Sequence, residues 1–165
     1  MYELPKGAPA TMQDAFPYIA ELDAPSIDDL KVMVMLEAAG LALYENLAAG
    51  TEREDVHAIL LHNGREELAH AHRVSKAIGK ITGSPFPVPA PDENPYLAGP
   101  PSDPKPLTRE ILLSLAELEF GGEDLYERWA SNCANADAAA LLRQNGREET
   151  EHGARLQKAA DLLAA

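Results

Sequence analysis

NGREELAHAHRVSKA at residues 63–77 returns as NGREETEHGARLQKA at residues 145–159. The offset is 82 residues, and it holds without a gap well upstream: MLEAAGLALYENLA at 35–48 lines up with ELEFGGEDLYERWA at 117–130. Between 26–80 and 108–162, 20 of 55 positions are identical. A shared bias toward Ala, Leu and Glu gives only a handful of matches, so the chain reads as one structural unit used twice.

Each unit reads as two helices. Ser26, with Asp29 three residues on, marks the N-cap of a first helix that runs to about Ala49 and stops at Gly50. Thr51 with Glu54 has the form of a capping box for a second helix, to about Gly79. In the second unit Thr108 caps a helix ending near Ser131, and Asn135 caps the last one. The Asn-Gly pairs at 63–64 and 145–146 usually mark turns, but strong helix formers flank both, so the helices are expected to continue, with Gly64 and Gly146 allowing close approach. Short links make each pair antiparallel, 26–80 and 108–164. The Pro-rich stretch 82–106 cannot stay helical and serves as a long crossover. The expected fold is all-α: a four-helix bundle over 26–165 built from two repeated antiparallel helix pairs. Residues 1–25 form an N-terminal extension, with a short outer helix expected from Met12 to Leu22 that Pro17 interrupts.

Composition agrees. Of 165 residues, 45% are hydrophobic, while β-branched and aromatic residues are sparse. A formal net charge of -13 disfavours nucleic acid and anionic membrane surfaces. One cysteine, Cys133, excludes an internal disulfide or a cysteine metal cluster. The N-terminal MYELPKGAPATMQD has no signal-peptide apolar core, and no apolar run is long enough to span a bilayer. A cytoplasmic protein without membrane or nucleic-acid partners is expected.

The apolar stripe of the second helix (Val56, Ile59, Leu60, Ala71, Val74, Ile78) also carries Asn63, Glu67 and His70. In the fourth helix Leu141, Leu142, Leu156 and Leu163 flank Asn145, Glu149 and His152. Glu37 sits among Met33, Val34, Leu36, Leu41 and Leu43, and Glu119 among Leu112, Leu115, Leu118 and Leu125. Four carboxylates and two imidazoles therefore point inward. Buried carboxylates without partners cost several kcal/mol each or take up protons, and the arginines sit mostly off the stripe. Metal cations are the economical compensation. Glu and His at i and i+3 share a helix face and can reach one ion. Four carboxylates balance two divalent ions, and oxygen-rich sites with two imidazoles suit iron or manganese.

A Glu from each of two helices plus Glu-x-x-His from each of the other two, Glu67-x-x-His70 and Glu149-x-x-His152, resembles the ferritin-like di-iron and di-manganese proteins, and among them the rubrerythrin-like branch. The resemblance covers roughly residues 26–164. It implies that Glu37 and Glu119 are terminal ligands, that Glu67 and Glu149 bridge, and that His70 and His152 each complete one of two Fe ions, or Mn in the alternative. Rubrerythrins proper carry a cysteine-ligated iron domain that has no counterpart here, so electrons are expected from an external donor. Where rubrerythrins place a further Glu one turn beyond the third-helix ligand stands Gly122, with Glu123 next. The six-ligand set is nearer a ferroxidase-like centre. A homodimer is the family-level expectation.

Tyr44 and Tyr126, seven residues after Glu37 and Glu119, are expected to hydrogen-bond a bridging carboxylate or supply an electron. Glu45 and Glu127 lie further round the face, as solvated or interface residues. Glu66 and Glu148 are surface charges near Arg65 or Arg147, or reserve ligands. His57, His62 and His72 lack repeat partners and belong to the surface. The expected function is a di-metal carboxylate oxidoreductase reacting with O2 or H2O2, as ferroxidase or peroxide scavenger. The alternatives are metal binding or storage without turnover, and a structural bundle whose ligands stay empty.

Overall fold

The structure is a computed structural model that describes residues 2–99 and 102–164. Pro100 and Pro101 of the expected crossover, and Met1 and Ala165 at the ends of the expected extension and bundle, fall outside the described residues. The described residues form helices α1 (Met12–Ala20), α2 (Ile27–Ala48), α3 (Glu54–Thr82), α4 (Arg109–Ser131) and α5 (Ala136–Ala164), with a single 3-10 turn at Pro95–Leu97 and no strand. This is a ferritin-like helical bundle. Helix α3 packs against both α2 and α5, and α5 against α4.

Local chemistry sets most helix ends. Ser26 and Asp29 close a capping box at the start of α2, each side chain bonding the other's backbone N–H. Thr108 accepts from Ile111 N at α4, and Asn135 from Ala138 N at α5. The start of α3 differs from expectation. Its N-cap is Arg53, which makes no side-chain cap bond, and Thr51 accepts only from Arg53 N, too early to cap the helix. Helix α3 also runs past Gly79, to Gly83, whose φ of 86° ends it in the left-handed region open to glycine. Both α3 and α5 pass straight through their Asn-Gly pairs. A Cβ on Gly64 would lie 2.8 Å from Tyr44 Cβ, and one on Gly146 3.0 Å from Tyr126 Cβ, so these glycines let the helices approach.

Helix α2 is buried on almost every side, from Val32 to Ala39 without interruption. Two segments cover its outer face. Residues 2–22 lie against it, with Tyr18 donating to Asp29 Oδ1 at 2.5 Å. The link after α3 supplies Phe86, Val88 and Tyr96, and buried Asn94 donates to Met35 O at 2.7 Å. The two segments are joined by Tyr2 N to Glu93 O and by Tyr96 Oη to Pro9 O. Among the described residues the N-terminal segment reaches only the C-terminal end of α4, where Arg128, Trp129 and Asn132 donate to carbonyls of residues 20–23. Leu118, expected on the inward stripe beside Glu119, is 73% exposed, and Ile111 is also exposed. Leu118 precedes Glu119 by one residue, a step of about 100° round the helix, so the pair cannot share one narrow face.

Candidate metal centre

The inward stripes of α3 and α5 face one another, and the structure brings all six expected residues together between four helices. His70 and His152 are fully buried, their rings stacked with centroids 5.0 Å apart and 11° between planes. Glu37, Glu67 and Glu149 are buried, and Glu119 is slightly more open, its side chain 13% exposed. Ligand atoms of Glu67, His70, Glu149 and His152 all lie within 4.8 Å of one another.

The carboxylates are arranged about the two Nδ1 atoms. Glu149 sets Oε1 3.0 Å from His70 Nδ1 and Oε2 3.4 Å from His152 Nδ1. Glu67 mirrors it, with Oε1 3.0 Å from His152 Nδ1 and Oε2 3.7 Å from His70 Nδ1. Glu37 approaches only His70, at 3.6 Å, and Glu119 only His152, at 3.9 Å. Despite this crowd of oxygens, neither Nδ1 atom has a hydrogen-bond partner. Buried polar atoms normally have one.

The far side of each ring is held by a network that crosses between the helix pairs. His70 Nε2 lies 3.1 Å from Glu148 of α5, and Glu148 also accepts from Arg73, at 2.5 Å. His152 Nε2 lies 3.1 Å from Glu66 of α3, and Glu66 accepts from Arg155. The same arginines donate to the amide oxygens of Asn145 and Asn63, each at 2.7 Å. Those asparagines in turn donate to the backbone carbonyls of His70 and His152. With a carboxylate at Nε2, each ring keeps its proton there and turns Nδ1 toward the carboxylates. Glu66 and Glu148 are therefore not surface charges near Arg65 or Arg147. They orient the histidines, in partnership with Arg73 and Arg155. Sequence reasoning missed those two arginines, although they match across the repeat.

The tyrosines also cross. Tyr44 donates to Glu119 Oε1 and Tyr126 to Glu37 Oε1. Their partners are the carboxylates that each face one histidine, not Glu67 or Glu149. Close packing explains the reach of the latter two. A Cβ on Gly40 would stand 2.8 Å from Glu67 Cγ, and one on Gly122 2.6 Å from Glu149 Cγ. A side chain at Gly122 is excluded by Glu149. Glu123, next to it, turns outward and accepts from Thr150. Of the remaining acids, Glu45 and Glu127 are exposed, the latter paired with Arg143 at 2.8 Å. His62 and His72 are exposed and His57 is half-buried; His62 Nε2 lies 3.6 Å from Glu66 Oε1, on the outer side of the carboxylate that holds His152.

Without cations, such a cluster must hold protons. Burial, then the charges of Glu149, Glu119 and Glu37, push the Glu67 carboxyl well above the ordinary range. Glu119 is raised by burial and Glu149 in the same way. Burial works against a charge on His70, but Glu148, Glu149 and Glu37 around it lift its pKa to about 12. Burial also opposes ionisation of Glu149, but the two histidines outweigh it and hold that carboxyl low. The donor set is therefore rich in acidic oxygen, has two inward imidazole nitrogens without partners, and carries charge that only cations or protons can offset.

The rubrerythrin family model matches residues 29–160. The chain belongs to the rubrerythrin family. No curated protein and no solved structure matches it. The buried Glu/His cluster is what a di-metal carboxylate member of the family requires. Among the described residues no helix is long and apolar enough to cross a membrane.

Proposed function

We propose that this rubrerythrin-family chain is a di-iron oxidoreductase in which Glu37, Glu67, His70, Glu119, Glu149 and His152 hold two iron ions that react with O2 or H2O2. The observation that carries the reading is the pair of buried Nδ1 atoms that face four carboxylates yet have no hydrogen-bond partner. Metal ions would use those lone pairs and replace the protons that the carboxylates otherwise need. Glu67 and Glu149 each offer one oxygen toward either histidine, which supports a bridging role, whereas Glu37 and Glu119 each serve one side. When bound, the two ions supply the redox chemistry.

The chain's own residues do the rest. Glu66 with Arg155 and Glu148 with Arg73 fix the histidine rings, so that Nδ1 is free to bind. Tyr44 and Tyr126 take up one oxygen of Glu119 and Glu37, which leaves the other oxygen directed at the centre. Stacked apolar layers above and below exclude water. Ferroxidase and peroxide-scavenging chemistry both fit this site, with electrons from an external donor. A homodimer through the uncovered face of α4 fits the exposure of Leu118 and Ile111, and Leu118→Glu should then yield a monomer by sedimentation.

The deciding experiment is elemental analysis of protein made with Fe, Mn and Zn available, beside the Glu67→Ala/Glu149→Ala variant. About two iron ions per chain, lost in the variant, is the expected result. Manganese in that stoichiometry would change the metal and keep the site. No metal in either protein would leave a structural bundle stabilised by protons.

A further inference from the structure

The two halves of the centre differ in what stands behind the tyrosine. Behind Tyr126 lies Trp129, with ring centroids 5.9 Å apart and planes at 74°. Trp129 is the only tryptophan in the chain. It is fully buried, its Nε1 donates to Leu22 O at 2.8 Å, and it is among the residues that line a groove of about 550 Å³ at the end of the bundle. The groove is walled by Ile27, Leu30, Ile81 and Leu142. Behind Tyr44, the position 82 residues before Trp129 is Leu47, which is not aromatic and cannot carry a hole.

We infer that Tyr126 and Trp129 form a one-sided electron route from that end of the bundle to the metal centre. The inference rests on the di-iron reading above. Peroxide or dioxygen is the oxidant that leaves the centre short of electrons. Tyr126 gives one electron toward the centre as its O–H bond breaks, and the proton passes along the existing hydrogen bond to Glu37. Trp129 gives one electron to the Tyr126 oxygen radical, and the proton returns from Glu37 to re-form the O–H bond. A one-electron donor outside the protein then reduces the oxidised indole. The sum is one electron from donor to centre, with no proton consumed along the route. Tyr44 makes the same bond to Glu119, but among the described residues its ring pairs only with His152 at the centre and no aromatic ring stands behind it to refill it, so electrons enter through one half only.

The test uses the iron-loaded full chain, after elemental analysis has confirmed its iron. Peroxide is added, samples are frozen within the first turnover, and the organic radical is read by electron paramagnetic resonance, with and without ring-deuterated tryptophan. Because Trp129 is the sole tryptophan, narrowing of the signal on deuteration assigns the radical without altering the fold. The expected result is a deuterium-sensitive signal that ascorbate removes. In Trp129→Phe that signal should be replaced by a tyrosine-type one that ascorbate removes more slowly, and in Tyr126→Phe the tryptophan signal should be lost. In Tyr44→Phe protein that holds as much iron and consumes as much peroxide as the parent, the signal should remain. Iron that reacts with peroxide while deuteration changes nothing, or a tryptophan signal lost equally in Tyr44→Phe and Tyr126→Phe proteins that both still hold iron and consume peroxide, would overturn the route and leave the di-iron reading standing. Protein that takes up no iron would remove both.

Discussion

The two helix pairs agree at the centre and disagree at the surface. Inside, nearly every interaction has a counterpart 82 residues on: Glu67 with Glu149, Tyr44 to Glu119 with Tyr126 to Glu37, Arg155 to Glu66 with Arg73 to Glu148. Outside, α2 is sealed under residues 2–22 and the link after α3, while α4 meets residues 20–23 only at its C-terminal end and is exposed at Ile111 and Leu118. Leu36 is 2% exposed, and its counterpart Leu118 is 73% exposed. The inner layer answers to a site that needs two equivalent halves. The outer layer answers to whatever covers each half, and that differs.

The largest effect expected from breaking this comparison is therefore an outer one. Leu36→Ala removes a fully packed side chain and should destabilise the fold by about 2–5 kcal/mol. Leu118→Ala, the same change at the matching position, should shift stability by no more than about 0.5 kcal/mol in the monomer. Chemical denaturation of both variants, metal-free and dilute, measures the difference. Equal losses would mean that α4's outer face is covered after all.

Next in size come the cradle glycines, where the halves should respond alike. Gly40→Ala drives a methyl to 2.8 Å from Glu67 Cγ and Gly122→Ala one to 2.6 Å from Glu149 Cγ. Each should cost about 1–3 kcal/mol by overpacking and weaken metal retention, because the displaced carbon belongs to a carboxylate at the centre. Iron per chain after dialysis against a mild chelator is the readout. If Gly121→Ala, which meets nothing within 4 Å, loses as much iron, close packing at Gly122 is not the cause.

Smaller still is the contribution of the cover itself. Asn94 is buried and donates to Met35 O in the middle of α2, whereas α4 receives such a bond only at its C-terminal end, from Asn132 to Arg128 O among the described residues. Asn94→Ala leaves that bond unmade and should cost about 1–2 kcal/mol. Hydrogen exchange should rise along residues 86–97 and the outer face of α2, with α4 unchanged.

The contrast also explains what could be read from the sequence. The six inward residues were legible because carboxylates and imidazoles on an apolar stripe violate the burial rule, and did so twice in register. Leu118 was not, since a helix with apolar residues at steps of 3 and 4 gives no sign of which neighbour arrives to cover it. The exchange of partners between halves was hidden for another reason. A repeat states that two units are alike, but whether Tyr44 reaches its own Glu37 or the other unit's Glu119 depends on how the units dock. Arg73, Arg155, Gly40 and Gly122 left a usable trace, being identical in both copies while lying off the ligand pattern.

The inner symmetry itself should fail when protons stand in for cations, and this gives the smallest effect. Without metal, Glu67 is pushed up by burial and by its acidic neighbours, while its counterpart Glu149 is held down by the histidines. Glu119 is also raised, and His70 is lifted to about 12. Raised groups stabilise the fold below their unfolded values and lose that contribution as pH climbs, the carboxyls from about 4.3 and the imidazole from about 6.5. A depressed group such as Glu149 behaves oppositely, but its contribution is complete above the ordinary carboxyl range and is lost only on acidification. Between about pH 5 and about pH 8 the raised groups set the slope, so the Tm of chelator-treated protein should fall as pH rises. Iron would displace those protons, so its affinity should grow over the same interval and the Tm of loaded protein should not fall. Thermal melts with and without chelator at three pH values test both. A metal-free Tm that rises toward about pH 8 would mean that the carboxylates find their counter-charge in the flanking arginines, not in protons at the centre.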